Sequence, residues 1–352
     1  MKKIGILTFH RAHNYGAVLQ CYALQEVLKN LGYDIEVIDY RQPVIEKLYS
    51  LFDIRVIRQH LTNPRTVAGY LKSFPRRLAG KNIYQKFDRW LRLSRECDQS
   101  NIVQDYDIYI IGSDQLWSLH CLGWMLDPIY LGEFKRPLES KVYGYAISST
   151  SKSIEDISIS TLEKYIPNFT TLSFRESVIS KLVAEKCGAK SRVDIDPTLL
   201  ADASVWDGMI NDKWAKEKYV LLYQVRTPSN DKKLLYRKAK ALAEQLNCRV
   251  IDLLAEKPLV EDFVSLFKYA QCVVTSSFHG TAFSIIFERP LQSVMLKDGH
   301  DGRYENILRA IGADELLVDM DFTPVVPTVD YKAIKARLAE LQEFSMDYLR
   351  NL

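Results

Sequence analysis

The 352-residue sequence predicts an α/β protein made of two Rossmann-like domains facing each other across a cleft. Three observations carry this expectation. Short β-rich apolar runs alternate with helical patterns, as in parallel sheets wound with helices. The alternation restarts as a second series after "DPTLLADASVW" (196–206). The chain is also longer than one core comfortably serves, which makes two domains the natural division. Residues 1–200 then form the first domain, with an insertion over about 42–100, and 201–352 form the second. The last helix is placed to pack back on the first domain.

Each element follows from its pattern. "KIGILTF" (3–9) is a strand. "NYGAVLQCYALQEVLKN" (14–30) has helical spacing at Val18, Leu19, Tyr22, Leu24 and Leu28, and Gly32 stops it. "IEVIDY" (35–40) completes a βαβ start. Beyond the insertion come "YDIYIIG" (106–112), "KVYGYAIS" (141–148) and "TTLSF" (170–174). A helix from Glu176 to Cys187, stopped by Gly188, precedes "SRVDID" (191–196). The second series runs "YVLLYQV" (219–225), a helix from Asn230 to Asn247, "CRVIDLL" (248–254) and a helix over 260–270. It continues with "QCVVTSS" (271–277), a helix to Phe287, "LQSVML" (291–296) and a final helix over 330–350.

Composition excludes several classes. Apolar residues make up 47% and charged residues 26%, and a net charge of +3 gives no whole-molecule attraction to nucleic acid. No stretch reaches the roughly 18–20 apolar residues of a membrane span. The N-terminal apolar run is too short for a signal-peptide core. Cys21, Cys97, Cys121, Cys187, Cys248 and Cys272 are scattered with neither a CxxC pair nor zinc spacing, so free thiols in a reducing cytoplasm are expected. Neither half contains GxGxxG or GxxxxGK[ST], which argues against dinucleotide oxidoreductases and P-loop enzymes.

Between Ile54 and Arg95 the chain holds eleven Lys/Arg against one acidic residue, Asp88. Tyr70, Phe74, Tyr84, Phe87 and Trp90 are interleaved. One reading is a pair of basic surface helices packing their aromatics on the first domain. The other is attraction to an anionic membrane or glycan carrier. No recognised module surrounds the patch, so nucleic acid is not an expected partner.

Ligands of open α/β sheets bind outside the carboxyl ends of the strands, and here those ends are unusually polar. "HRAHNYG" (10–16) follows the first strand. Gly16 opens a helix and would let an anion or sugar approach free N–H groups, while Asn14 is either its N-cap or a ligand contact. His10 and His13 lie three apart in a loop and lack further metal ligands. In "SDQLWS" (113–118), Ser113 or Asp114 is an N-cap, or Asp114 is a general base or hydroxyl-binding group. Trp117 either stacks on a sugar or belongs to the core. "RES" (175–177) places Arg175 where it can grip a carboxylate or phosphate, or pair with Glu176. In "SSFHG" (276–280), Ser276 or Ser277 caps a helix whose first turn aims His279 at the same place, and Gly280 keeps the approach clear. Lys297 and Arg303 add positive charge. Such a set suggests a substrate with more than one negative charge, handled without an obligatory metal or cofactor.

At these residues the sequence resembles the polysaccharide pyruvyl transferase family. The pieces are "HNYGAVLQCYALQEVLKNLGY" (13–33), "DIYIIGSDQLWS" (107–118), "LSFRES" (172–177), "DIDPTLL" (194–200), "SSFHGTAFSIIFERP" (276–290) and "RYENILRAIG" (303–312). They occur in order across most of the chain and leave the basic 54–95 stretch uncovered. The resemblance implies a GT-B-like pair of domains. It also implies transfer of the enolpyruvyl unit of phosphoenolpyruvate (PEP) to two sugar hydroxyls, with release of phosphate. It makes Arg175 the PEP-binding arginine and His279 the essential histidine, with Lys297 a looser match. "SSFHG" departs from the arginine-leucine pair that other members carry before the histidine. On this reading His279 is the acid or holds the phosphate, and Asp114 or Glu176 deprotonates the acceptor.

Two alternatives stay open from the residues. A nucleotide-sugar glycosyltransferase of the same architecture would need a ribose-binding carboxylate, for which Glu256 and Glu261 are available. A non-catalytic glycan- or lipid-carrier-binding component would rely on the 54–95 patch. The expected location is cytoplasmic, with peripheral contact at the inner face of the membrane.

Overall fold

A computed structural model of the chain describes residues 2–51, 68–69, 72–102, 105–228 and 231–352. Strand β1 (Lys3–Leu7) lies between β2 (Asp34–Val37) and β3 (Ile108–Ile111), with β4 (Lys141–Gly144) beyond β3. All these pairings are parallel, with Ile4 in register with Ile35 and Ile108. β5 (Ser173–Phe174) and β6 (Arg192–Val193) extend the row through bridges at Tyr143–Thr171 and Ile147–Phe174. These two strands are shorter than their apolar runs suggest, because each chain leaves the sheet early for a helix cap.

The second sheet is also wholly parallel, in the order β11-β10-β9-β7-β8. Its strands are β7 (Tyr219–Tyr223), β8 (Arg249–Asp252), β9 (Cys272–Thr275), β10 (Leu291–Met295) and β11 (Leu317–Asp319). The sequence reading lacks β11, a three-residue edge strand with too little pattern to register. Two Rossmann-like domains thus face a common cleft, as expected.

Helix Tyr15–Asn30 is buried on nearly every side, polar Gln20 and Gln25 included. The reason is its place between the first sheet and the second domain. Tyr15 stacks on Phe263 at 4.9 Å, and Tyr22 meets Trp206 at 6.0 Å. An apolar stripe alone does not disclose that second contact face. Of the basic insertion, helix Phe74–Phe87 is described, and its Phe87 enters the core. Residues 52–67 lie outside the described residues, and so does most of any first basic helix expected there. No disulfide is formed among the described residues. Among the described residues no helix is long and apolar enough to cross a membrane.

The final helix, Tyr331–Arg350, crosses back to the first domain. The Tyr348 hydroxyl donates to the carbonyls of Gly144 (3.0 Å) and Thr171 (3.2 Å), and Ser345 Oγ accepts from the Ile195 N–H. Tyr348→Phe removes the two buried contacts and is expected to lower unfolding free energy by about 1 kcal/mol. Urea denaturation checks this, and an unchanged midpoint would mean that the helix is held by its apolar face alone.

Candidate active site

After β5 the chain passes Arg175 and reaches Glu176, the N-cap position of helix Ser177–Cys187. After β6 it reaches Asp196, which caps helix Pro197–Leu200 by accepting from the Thr198 N–H (2.8 Å) and hydroxyl (2.6 Å). Adjacent strand ends therefore bring Arg175 Nη2 to 2.6 Å from Asp196 Oδ2. Both residues are buried. Arg175 Nη2 also donates to Ser113 Oγ at 2.5 Å, and its guanidinium lies 4.8 Å from the Phe278 ring centroid. Burial alone would raise Asp196, but Arg175, His279 and the Thr198 bonds outweigh it and hold the carboxyl below its usual range. Arg175 Nε and Nη1 have no hydrogen-bond partner.

From the other domain, β9 delivers helix Phe278–Ile286, with His279 in its first turn. The Nδ1 edge of the ring packs on Gly16, where an added Cβ would sit only 1.9 Å from Nδ1. Nε2 faces Asp196 Oδ2 at 3.8 Å and has no hydrogen-bond partner. Burial pushes His279 down to about 4, against the upward pull of Asp196 and Asp114. The free protein therefore holds a neutral histidine. Glu176 shows the opposite response. Its Oε1 accepts from Ser148 Oγ at 2.6 Å, Oε2 has no partner, and burial raises its carboxyl despite Arg175.

Arg175, Asp196 and His279 border two cavities. One of about 440 Å³ lies between the domains, lined by Asn14, Asp114 and His120 on one side and by Arg226, Ser277, His279 and His300 on the other. A smaller one, about 130 Å³, is lined by Arg175, Asp196, Phe278, Asn306 and Leu341. Arg303 lines both. Burial first, then Arg175, pushes its guanidinium below the usual arginine range, and its Nε is without a partner.

The sequence profile described as polysaccharide pyruvyl transferase matches residues 14–291. The chain belongs to the polysaccharide pyruvyl transferase family. A search of curated proteins finds no match. Among solved structures, the chain is similar to E. coli heptosyltransferase WaaC with ADP, at 12% identity and a TM-score of 0.39, covering 96% of this chain and 99% of that one. It is also similar to S. aureus MnaA with UDP, at 10% identity and a TM-score of 0.47, covering 99% and 91%. The Methanocaldococcus jannaschii UDP-GlcNAc 2-epimerase follows at 11% identity and a TM-score of 0.46, covering 99% and 93%.

Within this pyruvyl transferase fold the remaining predicted residues fall in several places. Asp114 lines the larger cavity with a left-handed backbone (φ 77°). Asn14 borders the same cavity, but its side chain is the N-cap, accepting from Ala17 N–H at 3.2 Å. Ser277 occupies the N-cap position without a side-chain cap, and its N–H is bonded to Thr275 Oγ1. The two glycines serve packing, where ligand approach was expected. Gly16 admits the His279 ring, and Gly280 lets its helix lie on β9, since a Cβ there would meet Thr275 Oγ1 at 2.2 Å. Lys297 lines neither cavity; it is exposed and paired with Asp319 at 3.0 Å. Trp117 is a core residue, fully buried, its Nε1 donating to the Tyr130 carbonyl. Glu261 is engaged by Arg89 and the Trp90 indole, and Glu256 sits on helix Leu253–Glu256 outside both cavities. Among the described residues no three potential ligands gather for a metal ion.

Sequence reasoning missed Asp196, Arg226, His120 and His300. Asp196 stands before a proline and reads as a cap; it is one, with its second oxygen given to Arg175. Arg226 was within reach of the strand-end rule, since it follows β7. It bonds Asp298, Asp301 (2.8 Å), Tyr304 (2.9 Å) and the Ser276 carbonyl (3.2 Å), and so fixes the loop before Arg303. His120 and His300 meet from opposite domains at 5.2 Å, a contact that no local pattern signals.

Gly16→Ala should displace the His279 ring and lower stability by about 1–3 kcal/mol, measured by urea denaturation. His279 also leaves a pH signature. Its folded value near 4 lies below the ordinary 6.5, so the unfolded chain binds the extra proton between them. Stability contributed by neutral burial is therefore lost as pH falls from about 6.5 to 4. His13, pushed to about 4 by burial and Lys81, adds to the same slope. His279→Asn should remove up to about 3 kcal/mol of this pH dependence, and a variant with the parental slope would contradict the buried neutral ring.

Proposed function

We propose that this chain transfers the enolpyruvyl unit of PEP onto sugar hydroxyls of a cell-surface or exopolysaccharide precursor, forming a pyruvate ketal and releasing phosphate. The observation that supports it is the set of partnerless buried donors on Arg175 and Arg303, bordering a cavity of about 130 Å³. Buried donors are almost always satisfied, so this pair calls for a compact ligand rich in anionic oxygens. PEP offers a carboxylate and a phosphate.

The first acceptor hydroxyl adds to C2 of PEP while C3 gains a proton, and the second hydroxyl displaces phosphate from C2. Neutral His279 takes the first hydroxyl proton at Nε2, where Asp196 at 3.8 Å favours the resulting imidazolium, and passes it to the departing phosphate. Glu176, whose carboxyl burial raises, supplies the proton to C3 and recovers one from the second hydroxyl. This is the reverse of the roles expected from sequence, and the two opposite pKa shifts are its support. Asp114 orients the acceptor in the larger cavity, on the first-domain side. The scheme uses no metal or cofactor. A lipid-linked acceptor would bring the 54–95 stretch to the anionic inner face of a membrane.

The test incubates the protein with PEP and acceptors bearing galactose, mannose or N-acetylhexosamine, following phosphate release and product mass together. Phosphate release is expected, with kcat/KM lowered about 10²–10⁴-fold in His279→Gln. The acid limb of kcat/KM should turn near pH 4, because the free protein must hold His279 neutral. No release with any acceptor overturns the reading. Thermal stabilisation by UDP or GDP in place of PEP would point to a nucleotide-sugar transferase.

A further inference from the structure

One rim of the first domain exposes apolar side chains that the fold has no use for. Trp124 is 72% exposed, Met125 67% and Leu48 63%. Gly123 and Trp124 both have left-handed backbones (φ 70° and 67°), a conformation that disfavours a bulky side chain. The tip is nonetheless held firmly. Leu122 and Asp127 are buried on either side, Trp124 N–H donates to the Leu119 carbonyl at 2.7 Å, and Asp127 accepts from the Tyr40 hydroxyl at 2.6 Å. A rigid loop thus projects an indole and a thioether into solvent.

Shared contacts join this tip to the basic insertion. Gly123 lies against Val44 in helix Pro43–Leu48, with an added Cβ 3.8 Å from Val44 Cγ1. Tyr49, the next residue, stacks on His13 at 4.2 Å, and His13 stacks on Tyr84 of helix Phe74–Phe87 at 4.9 Å. That helix carries Lys81 and Lys86 with no acidic residue, and Phe74 and Leu78 are exposed four residues apart. Among the described residues of this rim, Glu46 pairs with Arg41 and Asp88 with Arg11. Apolar side chains beside this positive charge fit an interface where hydrocarbon begins beneath anionic headgroups.

We propose that this rim, led by Trp124 and Met125 and flanked by helix Phe74–Phe87, docks on the surface of an anionic phospholipid bilayer. Leu48 belongs both to the rim and to the lining of the interdomain cavity, so docking brings the mouth of the cleft to the headgroup layer. The binding itself does not depend on the chemistry of the cleft. Only its use, the presentation of a lipid-linked acceptor, rests on the pyruvyl-transfer reading.

The test is co-sedimentation of the full chain with vesicles of phosphatidylcholine alone and of phosphatidylcholine with 30% phosphatidylglycerol, at low and high salt. Binding should require phosphatidylglycerol, fall steeply at high salt, and shift the tryptophan emission to the blue. Trp124→Ala/Met125→Ala should weaken it on the order of tenfold and abolish the blue shift, at an unchanged melting temperature. Failure to sediment with the anionic vesicles overturns the proposal, as does undiminished binding by the variant, and either result assigns the rim to a protein partner. Phosphate release from PEP with a soluble acceptor is measured in parallel. Its absence would remove the pyruvyl-transfer reading and leave the vesicle result standing.

Discussion

The buried ion pair between Arg175 and Asp196 is the constraint on which the rest of the site depends. Taking two charges out of water is unfavourable unless both are well matched, and each partner here has a second duty. Asp196 caps a helix with one oxygen and holds Arg175 with the other. Arg175 reaches Ser113 with the same nitrogen and keeps two others unsatisfied. Removing either partner would strand a charge where water cannot reach it. Burial, working against the pull of this pair, lowers His279 and raises Glu176, so both groups are shifted toward their neutral forms within one small volume.

The second constraint is steric. The helix that opens with Tyr15 must lie against the helix that bears His279, and only glycine at position 16 leaves room for the ring. The His279 helix must lie against its own sheet, and only glycine at 280 leaves room for Thr275 and Tyr223. Arg226 closes the arrangement from the third side by binding the loop that precedes Arg303. The cleft is therefore assembled by close packing of both domains, and the apolar core running through Tyr15, Phe263 and Phe283 is continuous between them.

Much of this was legible in the sequence because strand ends are legible. Apolar runs mark the strands, polar residues mark where they stop, and ligands of open α/β sheets gather there. That logic reached Arg175, Glu176, Asp114, His279 and Arg303. It failed at Lys297, which also follows a strand, because its left-handed backbone turns the side chain toward Asp319. It gave the glycines the wrong purpose, since a need for space reads the same whether the neighbour is a ligand or a protein ring.

By itself the sequence determined the two-domain α/β architecture, the order of its motifs and the family they identify. Those properties live in local periodicity and in residue types at fixed spacing. Only the tertiary structure decided which charges meet. Arg175 and Asp196 are twenty-one residues apart and share a site because β5 and β6 lie side by side. His279 arrives from the other domain, and its neutral state follows from burial among groups distant in the chain. Protonation and pairing depend on distance and dehydration, and neither is written in local sequence.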